Sequence, residues 1–411
     1  MNSHNNSDPK GGFSTITGWK RLLVAVVAGM TIWPALPGTA GAVEYLDLTS
    51  EYRTDLRAMA MGNAFGPIAR GDTAMAYNPA GLAQLSFEFN IGAGFAIEGA
   101  QGGFLEDTYS LTTSNPSVAN INNYLNKYNG TTQGYRTATF YSGYLTVANI
   151  GIGTSYLNQA KDSFTFNDAN ANAAVDPTDE LILDRTSLKI TFMSAAIPLM
   201  DEQILFGATA KTYEYGDLTS GPKQYSTLAD LNLKTTGPTF QGTSTDIGFL
   251  YRMQSMAFLR PQMSLVAYNL GGTSLKSGAI KLEVPATYNW GMIFQPELKG
   301  LPIHAMASIE YEDITGAVQV RDALDGKNHE RDYKQRMHMG AELGLWRTTG
   351  GNNVFNARVG LNRGLPTFGY ELNLFGVTRL VYTRFKDNVG HVDRKVFVTS
   401  DAYQLSFNIG I

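Results

Sequence analysis

Cysteine is absent from all 411 residues, which excludes disulfides, a lipidated N-terminal cysteine and thiolate metal sites. A dominant charge sign is missing too. With 32 basic residues against 36 acidic ones and a net charge of -4, there is no electrostatic case for a nucleic-acid partner. Catalytic signatures are lacking: no G-x-S-x-G, no P-loop and no H-E-x-x-H occur, and only five histidines are present. His391-Val392-Asp393 reads as a solvated polar turn rather than a metal site, and the glycines at 92 and 94, or 151 and 153, lack the following helix that a phosphate cradle needs. No catalytic residue, metal or cofactor is therefore expected. After residue 42 no apolar run reaches 18 residues, so helical membrane spans are excluded. If the chain crosses a membrane, it must do so as a closed barrel.

The N-terminus carries Lys20 and Arg21, the apolar run Leu22 to Ile32, then Pro34, Pro37 and the small residues Ala40-Gly41-Ala42. This is the layout of a secretory signal peptide over residues 1–42 with cleavage after Ala42, behind a polar leader that is longer than usual. A membrane anchor is the other reading, and the run falls short of the ~20 residues that a spanning helix needs.

Beyond it, residues alternate. Phe87, Phe89, Ile91, Ala93, Phe95 and Ile97 interleave with Glu88, Asn90, Gly92, Gly94, Ala96 and Glu98. Ile303, Ala305, Ala307, Ile309 and Tyr311 interleave with His304, Met306, Ser308, Glu310 and Glu312, and Met339, Ala341, Leu343 and Leu345 with His338, Gly340, Glu342 and Gly344. The chain closes on Tyr403, Leu405, Phe407, Ile409 and Ile411 against Gln404, Ser406, Asn408 and Gly410. A period of two with one apolar face is what a strand between lipid and lumen shows. In a soluble sandwich, the alternative, charges in mid-strand would be buried without water.

Fourteen strands are predicted, at 86–97, 136–147, 150–160, 185–197, 203–215, 242–255, 262–271, 284–295, 303–314, 334–347, 353–362, 367–375, 378–386 and 399–411. Strands 136–147 and 262–271 alternate poorly. Long polar connections (98–135, 161–184, 216–241, 315–333, 387–398) trade places with tight ones at Ala148-Asn149, Leu199 to Glu202, Leu301-Pro302 and Gly376-Val377, the asymmetry of outer loops and periplasmic turns. Tyr288, Trp290, Tyr311, Trp346, Tyr382 and Tyr403 are expected near strand ends, where interfacial rings collect. The fold class is thus all-β: a 14-stranded antiparallel transmembrane barrel over 86–411, in a bacterial outer membrane.

Residues 57–65 and 71–83 break the pattern. Their small and apolar residues at helix-like spacing, interrupted by Gly71 and ended by Asn78-Pro79, predict short helices and a turn. Such a segment needs a surface to bury itself against, and the barrel interior is the nearest. Ala60, Gly62, Ala64, Asp72 and the run Asn78-Pro79-Ala80-Gly81-Leu82-Ala83 resemble the block that precedes the first strand in the long-chain fatty-acid transporter (FadL-like) superfamily, which includes PorV-like proteins. Val284 to Tyr288, Met337 to Glu342 and Ala357 to Leu361 are similar to three of its strands.

The resemblance implies a helical hatch, residues 43–85, inside the barrel, an apolar ligand pocket and a lateral exit beside a kinked third strand. Gly151 and Gly153 would mark that kink, or would simply let the hatch pack closely. Asn63 stands where relatives often have Gly, and Ile411 where they often end on an aromatic. The implied function is a channel for hydrophobic compounds such as long-chain fatty acids, by passive diffusion past the hatch. The alternative is a PorV-like component of a protein secretion system. Expected partners are outer-membrane lipid, a hydrophobic small molecule, the barrel-assembly machinery and, in the alternative, secretion-system proteins, with no nucleic acid.

His338, Glu342, Arg358 and Glu371 fall on the inward phase of three consecutive strands, and Lys189 and Lys211 are read as inward too. Two readings stay open: a salt-bridge network that holds the hatch, or a site in which Arg358, Lys189 or Lys211 receives a ligand carboxylate.

Overall fold

The computed structural model describes residues 55–98, 107, 110, 118–128, 132–165, 180–217, 220–224, 238–253, 258–298, 300–321, 328–347, 353–388 and 397–410. The signal-peptide expectation for residues 1–42, the first residues of the hatch (43–54) and the His391-Asp393 turn lie outside them. Residues 43–411 form one compact unit. None of its described helices is long and apolar enough to cross a membrane.

Fourteen strands make the wall: β1 (Phe87–Glu98), β2 (Thr132–Val147), β3 (Ile150–Thr165), β4 (Glu180–Leu199), β5 (Ile204–Asp217), β6 (Thr239–Arg252), β7 (Gln262–Tyr268), β8 (Thr287–Phe294), β9 (Ile303–Tyr311), β10 (Met337–Arg347), β11 (Asn353–Asn362), β12 (Leu365–Leu374), β13 (Thr378–Asn388) and β14 (Phe397–Gly410). Each pairs antiparallel with the next, and β1 pairs with both β2 and β14. The ring has no free edge, so every backbone ladder is satisfied within the wall. All fourteen predicted strands are present, several of them longer. Three short strands that the alternation did not show, Ser220–Gln224, Thr273–Ser277 and Ile280–Val284, extend the wall at the long-loop end.

The turn end is set by local geometry. Ala148 and Asn149 both have positive φ (47° and 69°), as do Phe375 and Gly376 (57° and 72°), the two-residue turn whose twist matches the strands it joins. Phe375 at that tip is 95% exposed, which suits a ring at the membrane surface.

The outward phase is apolar and uncovered. Ile150, Ile152, Met193, Ile197, Val359, Leu405, Phe407 and Ile409 are all exposed on the outer face. Water would not tolerate a continuous band of such side chains around a monomer, and hydrocarbon requires it. Tyr382 and Tyr403, expected near strand ends, instead sit in mid-strand as direct cross-strand partners, flanked by Tyr370 and Phe95 in the same row. Because barrel strands tilt by about 40°, a row perpendicular to them climbs across the bilayer rather than circling it at one depth.

Candidate functional site: the hatch and the lumen

The segment from Asp55 to Leu85 lies against the inward side of the wall. Its helices α1 (Leu56–Ala60) and α2 (Ala74–Tyr77) and its 3-10 turns (Gly71–Thr73, Pro79–Gln84) are too short to persist alone. The wall supplies what they lack. Asp55 caps α1 by accepting from Ala58 N at 3.0 Å, and Gln404, Thr383 and Thr367 bond to the backbone of Leu56 and Ala60. Glu310 accepts the amides of Phe65 and Gly66 at 3.0 and 2.7 Å, and Asn289 Nδ2 donates to its other oxygen.

The hatch motif acquires a physical meaning residue by residue. Gly62 has φ +64°, and a Cβ there would stand 2.4 Å from Leu361 O. Asn63 follows with φ 62°, a left-handed position that Asn tolerates. Asn78 Oδ1 accepts from Ala80 N while Nδ2 donates to Gly66 O and Phe249 O, so one side chain starts the turn, ties the hatch to itself and docks it on β6. Pro79 opens the 3-10 turn, where no amide is needed. A Cβ on Gly81 would meet Ala69 O at 2.0 Å. The wall meets the hatch with glycines of its own: at Gly207, Gly340 and Gly360 a Cβ would fall 2.3 to 2.4 Å from hatch backbone atoms.

Gly151 belongs to that cradle, whereas Gly153 makes room for the Tyr144 ring of the neighbouring strand. A Cβ on Gly151 would stand 2.5 Å from Met75 Cε, and one on Gly153 2.2 Å from Tyr144 Cδ1. Both ladders of β3 keep unbroken register past them, so no bulge interrupts the strand at these glycines.

Toward the turn end the lumen is charged. Glu342 and Arg358 are direct cross-strand partners, with Arg358 Nε 2.5 Å from Glu342 Oε2 and Nη2 2.7 Å from Glu371 Oε2. Arg57, on the hatch, approaches Glu342 at 3.1 Å. On the hatch's other side Arg379 Nη2 lies 3.2 Å from Asp72 Oδ2, and Asp72 N donates to Glu88 Oε2 at 2.7 Å. Burial first and Glu88 second raise the Asp72 carboxyl to about 6, against the opposing pull of Arg379. His338 stands apart from this cluster, with Nδ1 2.8 Å from Gly62 O and Nε2 2.8 Å from Glu312 Oε2. Below the hatch opens a vestibule of about 980 Å³, lined by Arg70, Arg252, Glu88, Glu297, Asn356 and Asn373 among others.

Toward the loop end the lumen turns apolar. Inward Phe140, Leu157, Leu188, Ile190, Phe192, Tyr213, Tyr215, Phe240 and Phe385 form one buried cluster that ends on Leu56, Met59, Met75 and Leu82 of the hatch. Lys189 departs from its expected inward placement. Leu188 and Ile190 take the inward phase of β4, so Lys189 faces outward and pairs with exposed Glu214 across the β4–β5 ladder at 3.3 Å. Lys211 does point inward, and its Nζ lies 2.7 Å from Asp246 Oδ1.

Of the residues named from the sequence, the structure joins Glu342, Arg358 and Glu371, sets His338 beside Gly62, and separates Lys189 and Lys211 from both. Arg57, Glu88, Glu310, Arg379 and Asp246 were not singled out. The inward phase of their strands was the available signal for the last four.

A closed ring of fourteen antiparallel strands with an apolar exterior defines a transmembrane β-barrel, and residues 55–85 pack against its inner side. No family model and no curated protein matches the chain. Among solved structures it is similar to the Ralstonia pickettii toluene transporter TbuX (12% identity, 86% of this chain and 98% of that one, TM-score 0.48). It is also similar to the Pseudomonas putida toluene transporter TodX (11%, 86% and 98%, 0.46) and to a Pseudomonas aeruginosa FadL homologue (11%, 86% and 97%, 0.42). At such scores the likeness concerns fold and carries no argument about ligand.

Proposed function

We propose that the chain is an outer-membrane channel for hydrophobic compounds, admitting them at the loop end and holding them in the lumen above the hatch. The apolar cluster that runs from the loop-end strands down to Met75 and Leu82 carries this reading. A lumen that conducted ions or sugars would be polar throughout. Movement is passive, driven by partition out of water at roughly 0.8 kcal/mol per buried methylene.

The same number argues against a straight passage into the periplasm, because the charged vestibule offers hydrocarbon nothing better than water. A sideways exit into the bilayer is the reading we favour. On the outer face, a depression of about 830 Å³ crosses β2 to β6 around Gly143, Gly153 and Thr154. Inside, a cavity of about 60 Å³ sits beside the hatch. Tyr144, Phe192 and Lys211 line both spaces, so a single layer of side chains separates them.

The test is extraction of the detergent-purified protein followed by mass spectrometry of what it retains. A bound fatty acid, hydrocarbon or other apolar small molecule at near one per barrel is the expected result. An empty lumen in a protein that co-purifies with secretion components would turn the reading toward the PorV-like role. Long-chain fatty acids and plain hydrocarbons both match the apolar lining and differ in one carboxylate.

A further inference from the structure

Several charges are buried in the loop-end lumen, among them Arg136 over the Phe385 ring and the Arg331–Glu312 pair, and the pair that borders the inner cavity sits among aromatic rings. Lys211 on β5 and Asp246 on β6 point inward, with side chains 5% and 1% exposed and 2.7 Å between Nζ and Oδ1. The ammonium also donates to Asn269 Oδ1 at 3.3 Å and lies 5.2 and 5.8 Å from the ring centres of Tyr213 and Tyr268. Asn269 holds the arrangement from a left-handed φ of 50°. Its amide N–H donates to Asp246, and its side-chain oxygen accepts from Tyr213 and Ser244 as well.

We propose that Asp246, by neutralising Lys211 at the wall between the inner cavity and the outer depression, makes this lumen select uncharged hydrophobic molecules over those that carry a carboxylate. The inference rests on the channel reading and narrows its substrate class. Lys211 lines both spaces, so a molecule crossing from one to the other passes its head group. A carboxylate arriving there meets an ammonium already held by a fixed counter-ion, and two carboxylates on one ammonium leave uncompensated negative charge in a dry setting. An uncharged molecule meets a neutral pair beside the rings of Tyr144, Phe192, Tyr213 and Tyr268, in a cavity whose other cations, Arg57 and Arg379, are themselves held by Glu342 and Asp72. Stability does not explain the pair's presence, because well-packed apolar residues would serve the wall as well as a buried ion pair does.

The experiment measures binding of oleate and of 1-octadecene to the purified barrel in detergent. Wild-type protein should prefer the alkene. Asp246→Asn keeps the shape and the acceptor for Asn269 N while leaving the ammonium unpaired. The oleate-to-octadecene binding ratio should then rise about tenfold or more, the size of one new charge-assisted hydrogen bond. The double variant Lys211→Met, Asp246→Asn removes both charges and should return the ratio to the wild-type value. Equal wild-type binding of the two probes, or a ratio that Asp246→Asn leaves in place, overturns the inference while sparing the channel reading. A wild-type protein that binds neither probe removes both. If Asp246→Asn fails to fold, the wild-type preference alone still decides, since a preference for oleate contradicts the proposal.

Discussion

The two ends of this lumen obey opposite rules, although the same strands build both. Near the turns, inward Glu342, Arg358, Glu371 and Arg379 bind the hatch through charge, over a vestibule open to water. Near the loops, inward Phe140, Leu188, Ile190 and Phe192 are as apolar as the lipid face behind them. At the turn end the buried charges satisfy one another, with only Arg57 and Arg379 partly exposed, while the loop-end wall is mostly apolar. The hatch is the partition between the two. Its upper surface offers Met59, Met75 and Leu82, and Arg57 and Asp72 belong to the charged network.

The largest effect should come from the charged end. Arg358→Met leaves the buried carboxylates of Glu342 and Glu371 without their shared guanidinium, and should lower the unfolding free energy by roughly 3–5 kcal/mol, read from urea unfolding in detergent. A loss below 1 kcal/mol would mean that the network does not hold the hatch.

A smaller effect follows from Asp72. Its seated carboxyl, raised to about 6, faces Glu88 on β1, Arg379 on β13 and Glu371 on β12, with Asp55, Arg57 and Arg70 on the hatch and Tyr144 on β2. Because the seated form holds the proton more tightly than a solvated aspartate would, protonation favours seating. That contribution is complete below the ordinary carboxylate range and is lost as pH rises through about 6. Hatch opening, followed by protease access to residues 55–85, should rise about tenfold between pH 5 and 7. Asp72→Asn should abolish that slope, and an opposite slope would reverse the assignment.

The smallest effect belongs to the outer face. Lys189→Gln should change stability by under ~1 kcal/mol and leave ligand retention untouched, since the side chain faces away from the lumen.

The contrast between the two ends also explains what the sequence made legible. Alternation is readable wherever the two sides of a strand meet different media. That holds for β1, β9, β10 and β14, and the strand count followed from it. In β2, inward Ala138 and Phe140 share the apolar character of outward Tyr141 and Leu145, so the period fades where the lumen is greasy. Lys189 is deceptive for the same reason: it is a polar residue on the outward phase at a level where the inward residues, Leu188 and Ile190, are apolar. The Asn78-Pro79-Ala80-Gly81 block was legible because turn chemistry is local. The pairings of Arg57 with Glu342 and Arg379 with Asp72 were not, since they join positions about 300 residues apart. Gly151 and Gly153 look alike in the sequence, and only the tertiary packing shows that the first faces Met75 of the hatch and the second the Tyr144 ring.

Three media around one wall are the core of the account, and a chain without cysteine allows single labels to sample each. Spin labels on Val359→Cys (outward), Asn356→Cys (inward, turn end) and Leu157→Cys (inward, loop end) would be compared in bilayers for collision with oxygen and with a water-soluble nickel chelate. The account predicts oxygen dominance at 359, nickel dominance at 356, and nickel exclusion at 157 with a signal that changes when 1-octadecene is added. Equal nickel access at 157 and 356 would contradict it.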